Sequence, residues 1–246
     1  MVTMKKGLLN MEKERVLPDP HRFAVCAYED VPIKEFYKGF FNEIFIFFHP
    51  FIKPLTIDSE LFYPETYPDK FQVINNCEIV TWKEFLTLSG MQSYEELDIG
   101  LRTRILGLNK KYANKNLKEI IDNVSEKYNL IPPSEGILPD ILINKLLEAI
   151  KKENYNWIWV GDEFGTERKL EYIDDLINQD TLARHNLFTH DNSILITTHW
   201  DSHFSMICSN DKKKIDRIVK SCSLNGFYCD ESTEIYWSVR NTHRKG

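Results

Sequence analysis

The segment from Ile194 to Cys208, with the sequence ILITTHWDSHFSMIC, carries the densest set of side chains that could do chemistry. His199, Asp201 and His203 stand two residues apart, and Trp200 lies between them. On one continuous strand, residues at this spacing point to the same face. Two imidazoles and a carboxylate on one face form a ligand set that zinc or non-haem iron accepts. A continuous strand would therefore predict a metal-dependent hydrolase or oxygenase.

The same segment could instead fold as a hairpin that turns at Asp201-Ser202. That turn would put His199 on one face of the sheet and His203 on the other, so the metal triad would not form. We favour the hairpin because a single strand of this length would exceed the usual range. It predicts a set of residues that share the face of His199: Leu195, Thr197, Phe204, Met206 and Cys208. His185, His190 and Asp191 lie just upstream and could add ligands if a metal site existed.

A second candidate site is the acidic pair Asp162-Glu163, in the loop VGDEFGTERK after a predicted strand. Paired carboxylates beyond a strand end could bind a cation or act as acid and base. The glycine spacing fits neither the dinucleotide fingerprint nor the P-loop, and the two carboxylates would repel a phosphate. A solvated acidic turn is the favoured interpretation.

The cysteines form neither a disulfide framework nor a zinc motif. Their number is odd, and no C-x-x-C pair occurs among Cys26, Cys77, Cys208, Cys222 and Cys229. Free thiols in a reducing compartment are therefore expected. Cys208 or Cys229 could pair with a histidine as a nucleophile, but no local motif supports this.

Composition excludes several classes of function. The net charge of −6 argues against nucleic-acid binding, which usually needs a basic face. The N-terminal residues lack the apolar core of a signal peptide. The most apolar stretch, residues 40–57, is interrupted by charged residues and prolines, so no membrane span is expected. The protein is therefore predicted to be cytoplasmic.

The first half of the chain is predicted to be mainly helical. Residues 1–20 are expected to be an arm, followed by a strand over 21–28, a helix over 33–50 and a strand over 71–80. Thr81 and Glu84 form a capping box that opens a helix ending at Gly90, and Ser93 with Glu96 opens the next one. In that second helix, Asp98 and Arg102 are predicted to form a surface ion pair. Further helices are expected over 117–128 and 138–154.

The second half is predicted to be richer in strands. Strands are expected over 155–160, 193–200, 203–209 and 234–239, and helices over 167–178 and 211–224. This order, β-α-β-β-α-β, is that of ferredoxin-like domains. The predicted fold is therefore α+β, with a mainly helical half (21–153) packed on a C-terminal antiparallel sheet (154–240) and a tail (241–246). Whether the halves are separate or form one integrated domain stays open.

Two stretches, TWKEFLTLSGMQSYEELDIGLRTRILGL and ILITTHWDSHFSMICS, together resemble an uncharacterised bacterial family, a domain of unknown function. The resemblance covers nearly the whole chain. It implies a full-length cytoplasmic bacterial protein, and it implies no activity, cofactor or catalytic residue.

A non-catalytic binding or interaction module is therefore the leading functional hypothesis. It rests on aromatic residues that make up 13% of the chain, an acidic balance and the lack of a specific catalytic motif. We expect a basic protein partner, because charge complementarity speeds such encounters, and no cofactor. The alternative is the metal-dependent enzyme with zinc or iron at His199, Asp201 and His203. The sequence does not determine the oligomeric state.

Overall fold

The computed structural model describes residues 24–180 and 186–240. Its strands are β1 (Glu43–Phe48), β2 (Phe51–Pro54), β3 (Cys77–Val80), β4 (Trp157–Gly161), β5 (Arg168–Tyr172), β6 (Asn186–Phe188), β7 (Ile194–Thr198), β8 (Phe204–Ser209) and β9 (Gly226–Tyr228). Its helices are α1 (Ile33–Phe36), α2 (Lys70–Asn76), α3 (Trp82–Ser89), α4 (Tyr94–Arg104), α5 (Lys115–Tyr128), α6 (Asp140–Lys152), α7 (Ile173–Asn178), α8 (Lys212–Cys222) and α9 (Trp237–Arg240). The predicted arm, the tail, His185 and the start of the predicted strand 21–28 lie outside the described residues, and residues 24–28 are not a strand.

Seven of the described strands form one antiparallel sheet in the order β5-β4-β6-β7-β8-β1-β9. β2 and β3 pair separately. The prediction of an α+β protein with an antiparallel sheet is thus confirmed. The ferredoxin-like order and the helical N-terminal half are not confirmed, because β1 comes from the first half and lies between β8 and β9. The domain boundaries stay a prediction.

Helices cover both faces of this sheet, which explains why every residue of its central strands β7 and β8 is buried. One face carries residues such as Ile46 and Phe204 and packs against α3, α4 and α5. The other carries residues such as Phe47 and Ile207 and packs against α6, α7 and α8. None of the described helices combines the length and apolar character needed to cross a membrane.

The predicted helix over residues 33–50 is wrong. Only α1 is helical there, and residues 43–48 form β1. Every residue from Ile44 to Phe48 is buried, because β1 has strands on both edges and helices on both faces. A continuous apolar run of this kind has no period that separates a buried strand from a helix.

Three further segments differ from the prediction. In residues 71–80, Asp69 and Gln72 form a capping box that starts α2, and only residues 77–80 are a strand. Residues 168–172 pair with β4 as β5, so the predicted helix 167–178 is reduced to α7. The last predicted strand is instead the short helix α9, which packs against α4.

The capping predictions for the first half are confirmed. Thr81 and Glu84 bond each other's backbone N–H groups at the start of α3, and Gly90 ends that helix in the left-handed conformation. Ser93 caps α4. Local side-chain chemistry is sufficient to set these helix ends, so they are visible in sequence.

Candidate functional site

The segment 194–208 is a hairpin, as favoured from the sequence. β7 and β8 pair from Ile194 opposite Ser209 to Thr198 opposite Ser205, which is the predicted register. The backbone N–H of Ser202 donates to the carbonyl of His199 at 3.2 Å, so the turn is centred on Trp200 and Asp201, one residue earlier than predicted. Of the five residues predicted to share one face with His199, four belong to one core cluster: Leu195, Phe204, Met206 and Cys208. The fifth, Thr197, is a buried polar residue.

The buried side chain of Arg102 is hydrogen-bonded to the backbone of this turn. Arg102 donates to the backbone carbonyl of Asp201 at 2.7 Å and to that of Ile235 at 2.9 Å. It also donates to the carboxylate of Asp98 at 2.9 Å, which accepts a further hydrogen bond from Ser238. Its guanidinium therefore joins α4, the β7–β8 turn and the segment before α9.

The predicted surface location of the Asp98–Arg102 pair is wrong, because both side chains are fully buried. Removing one partner of such a pair leaves an uncompensated buried charge, which costs several kcal/mol. The i,i+4 spacing was visible in the sequence, but the burial was not. It arises because α9 and the hairpin cover this side of α4.

A second support is the close approach of Gly136 to the turn. Its φ is +68°, and a Cβ atom at this position would lie 2.6 Å from the carbonyl oxygen of Trp200. The Gly136 N–H also donates to the carbonyl of Ser202 at 3.1 Å. Only glycine combines this conformation with this proximity. The turn is therefore held from two sides and has little freedom to move.

Five side chains form a surface patch around this turn, which we call the tip patch: Glu29, Glu135, Trp200, Asp201 and Tyr236. The Tyr236 hydroxyl donates to Glu29 at 3.3 Å, and burial with the charge of Glu29 raises the pKa of Tyr236 to about 12. Trp200 is 39% exposed and stacks on His199 with ring centroids 4.1 Å apart. The sequence identified Trp200 and Asp201 but missed the other three, which come from distant segments.

Among the described residues, no lysine or arginine side chain neutralises the carboxylates of the tip patch. None of Glu29, Glu135 and Asp201 forms an ion pair with a described lysine or arginine. Partial burial and the neighbouring charge of Asp201 raise the pKa of Glu135. Arg102 is the nearby cation, but its guanidinium is already bonded to Asp98 and to carbonyl oxygens. The geometry therefore suits a cationic group arriving from outside.

His199 lies beneath the patch as a neutral base. Its Nε2 is 3.3 Å from the Glu29 carboxylate, and its Nδ1 accepts the backbone N–H of Asp201 at 3.1 Å. Burial and the charge of Arg102 lower the pKa of His199 to about 3. The imidazole is therefore uncharged at neutral pH and does not neutralise Glu29.

His203 lies apart from His199, in a buried polar cluster with His49. The His49 Nε2 is hydrogen-bonded to the Ser205 hydroxyl at 2.7 Å, and that hydroxyl to Thr198 at 2.7 Å. All these side chains are essentially inaccessible, so Ser205 is not placed to attack a substrate. Burial lowers the pKa of His49 to about 3 and that of His203 well below its usual value. Both ring nitrogens of His203 lack a hydrogen-bond partner.

The geometry of the hairpin does not assemble the metal triad. The triad required one continuous strand through His199, Asp201 and His203, and the chain reverses there instead. Within residues 24–180 and 186–240, no three His, Cys, Asp or Glu side chains converge in a way that could hold a metal ion. His190 and Asp191 lie beyond the opposite end of β7, where Asp191 accepts hydrogen bonds from Tyr155 and Thr189.

Asp162 and Glu163 lie in a separate turn, between β4 and β5. Asp162 accepts hydrogen bonds from Thr166 at 2.5 Å and from the backbone N–H of Glu167 at 3.1 Å. Partial burial alone would raise the pKa of Asp162, but these hydrogen bonds outweigh it and lower the pKa. The carboxylate is therefore engaged in shaping the turn.

All five cysteines are free thiols. Burial raises the pKa of Cys229 to about 12 and that of Cys208 well above its usual value. Since the thiolate is the nucleophilic form, neither residue is prepared for nucleophilic chemistry.

Comparison with known proteins agrees with the family suggested by the sequence. A family model described as "Protein of unknown function (DUF2711)" matches residues 29–239, which include the whole tip patch. The "Uncharacterized protein YwbB" of Bacillus subtilis (strain 168) is 24% identical over 180 residues, covering 71% of this chain and 79% of the relative. No solved structure matches.

Proposed function

We propose that this chain, which belongs to the DUF2711 family of proteins of unknown function, is a non-catalytic binding module. Its tip patch recognises a cationic side chain of a protein partner. The observation that carries the proposal is the set of three carboxylates without a described cationic partner, grouped around a partly exposed tryptophan. An arginine or lysine of the partner would pair with the carboxylates and lie against the indole ring.

The rigidity of the turn supports recognition rather than catalysis. Arg102 and Gly136 hold Trp200 and Asp201 in place before any partner arrives, so little conformational entropy is lost on binding. His199 and Tyr236, the two titratable ring side chains beside the carboxylates, are poorly suited to proton transfer at neutral pH. The pKa of His199 lies near 3 and that of Tyr236 near 12, while efficient acid–base catalysis needs values near the working pH.

Isothermal titration calorimetry with hexaarginine and hexalysine peptides tests the proposal at low ionic strength. The variant E29Q/E135Q/D201N removes the three charges, and E60Q/E65Q/E126Q removes three exposed carboxylates elsewhere. Exposed ion pairs contribute up to about 1 kcal/mol each, so we expect the first variant to weaken binding by about 2 kcal/mol, or roughly thirtyfold. An equal loss in both variants would show that overall charge attracts the peptides, and would refute the proposal.

The indole ring has its own matched control. Trp200→Ala is expected to weaken arginine-peptide binding by about 0.5–1 kcal/mol through loss of the cation–π contact. Trp157→Ala removes a tryptophan that is 50% exposed on another part of the surface and is expected to leave binding unchanged. Equal effects of the two substitutions would remove the role assigned to Trp200.

The metal-dependent alternative is tested separately by elemental analysis of the purified protein. One equivalent of zinc or iron that is lost in His199→Ala would favour the hydrolase or oxygenase over the binding module. It would also require the 199–203 turn to rearrange, because its present geometry does not bring the triad together.

A further inference from the structure

Strand β5 forms one edge of the seven-stranded sheet. Strands β4 and β6 lie between it and β7, which leads into the β7–β8 turn. Strand β5 pairs with β4 on one side, and no described strand pairs with its other side. It contains no proline, and its ladder with β4 runs without a bulge over all five residues. Large apolar side chains are exposed beside it: Trp157 is 50% exposed and Leu170 is 41% exposed. Edges of this kind readily pair with another strand.

The direction of the backbone groups in β5 follows from the hydrogen bonds at its two ends. The Ile173 N–H donates to the Asn156 carbonyl at 2.9 Å, and the Asp162 N–H donates to the Glu167 carbonyl at 3.1 Å. Hydrogen-bonded pairs alternate along an antiparallel ladder, so residues 169 and 171 direct their backbone groups towards β4. The outward N–H groups are therefore those of Arg168, Leu170 and Tyr172, and the outward C=O groups are those of Arg168 and Leu170. The Tyr172 carbonyl is at the N-cap of α7 and accepts the first hydrogen bond of that helix.

The sequence of β5, RKLEY, is self-complementary when it pairs antiparallel with itself around Leu170. Leu170 then faces Leu170 of the second copy, and Arg168 faces Tyr172. The Leu170 pair can exchange two hydrogen bonds, and each Arg168–Tyr172 pair can form one, from the Tyr172 N–H to the Arg168 carbonyl. Lys169 faces Glu171 of the second copy in the positions between, where side chains are closest in an antiparallel ladder. Because Lys169 already forms an ion pair with Glu171 of its own chain, the dimer would bring two such pairs together with opposite charges facing each other.

We infer that β5 is the interface of a twofold homodimer in which the two sheets join edge to edge through Leu170. The charge complementarity, the hydrogen-bonding direction and the exposed apolar side chains all agree with a second copy of this chain as the partner. The interface is small, so the dimer is expected to dissociate in the micromolar range. It does not depend on the tip patch or on the proposed cationic partner.

Sedimentation velocity over a concentration series, on the full chain, tests this inference by charge exchange. Lys169→Glu sets a new carboxylate opposite Glu171 twice in the dimer, and Glu171→Lys sets a new ammonium group opposite Lys169 twice. Each substitution is expected to weaken the dimer at least tenfold, and K169E/E171K together are expected to restore it. The exposed residues Lys110→Glu and Glu126→Lys serve as controls of equal charge change and should leave the dimer constant unaltered.

Proline scanning separates the interface from the fold. The Leu170 N–H points outward, so Leu170→Pro should abolish the dimer while circular dichroism and the melting temperature show a folded monomer. Glu171→Pro removes an N–H that bonds to β4 and should lower the melting temperature.

Two results would overturn the inference. The first is a wild-type protein that stays monomeric up to about 1 mM, well above the expected dissociation constant. If such a monomer associates only after Lys169→Glu, this lysine protects the strand edge from pairing, as lysines on edge strands often do. The other is a dimer whose dissociation constant is the same in wild type, K169E, E171K and L170P, which would place the interface elsewhere.

Discussion

Acidification is expected to destabilise this protein well above the pH at which most carboxylates are protonated. Burial lowers the pKa of both His49 and His199 to about 3, from about 6.5 in an unfolded chain. The unfolded chain therefore takes up protons below pH 6.5 that the folded protein excludes. The stabilisation is fully present above about pH 6.5 and is lost as the pH falls from there towards 3.

The magnitude follows from the two pKa values. Lowering the pH from 7 to 5 should cost about 2 kcal/mol of unfolding free energy for each of these histidines, or about 4 kcal/mol together. His203 acts in the same direction, because its pKa is also lowered by burial. A small protein is stable by only about 5–15 kcal/mol, so the loss is a large fraction of the total.

Urea denaturation between pH 7 and 5, followed by circular dichroism, measures this slope. His49→Gln and His199→Gln should each make the slope shallower by about 2 kcal/mol over the two pH units, whatever they do to stability at pH 7. His190 is exposed, so His190→Gln is the matched control and should keep the wild-type slope. A wild-type loss below about 1 kcal/mol would refute the reasoning, as would an equal flattening by His190→Gln.

Three further substitutions test the supports of the turn and the helix caps. Asp98→Ala should lower the unfolding free energy by about 3–5 kcal/mol in urea denaturation, because it leaves Arg102 buried and unpaired; a loss below about 1 kcal/mol would contradict the buried pair. Gly136→Ala should lower the melting temperature more than Gly90→Ala, because only at Gly136 would the new Cβ meet the backbone of the turn in addition to the positive φ; equal shifts would argue against that contact. Thr81→Ala should cost about 1 kcal/mol through loss of the capping box at the start of α3, measured in the same way, and a neutral effect would show that tertiary packing alone holds this helix end.

The features predicted correctly from the sequence depend on neighbouring residues. The capping box of Thr81 and Glu84, the Gly90 C-cap and the β7–β8 register follow from local hydrogen bonding and side-chain alternation. The errors fall where a segment's partners are distant. β1 was predicted as a helix because a fully buried strand and a fully buried helix can both consist of a continuous run of apolar residues.

The candidate site shows the same division. Trp200 and Asp201 could be identified, because they stand at a turn between two strands. Glu29, Glu135 and Tyr236 could not, because they reach the tip patch only through the fold. The Asp98–Arg102 pair was seen in the sequence but placed on the surface, since its i,i+4 spacing is the same on an exposed and on a buried helix face.

The hairpin at residues 194–208 was therefore determined by the sequence alone, because strand length and alternation are local properties. What its turn can do was decided only by the tertiary structure. The sequence brought His199, Asp201 and His203 within five residues and suggested a metal site. The fold instead turned His203 towards His49, set His199 beside Glu29 and placed Arg102 beneath the turn. The physical reason is that contacts between residues far apart in the chain depend on how whole elements pack, and no local pattern encodes that packing.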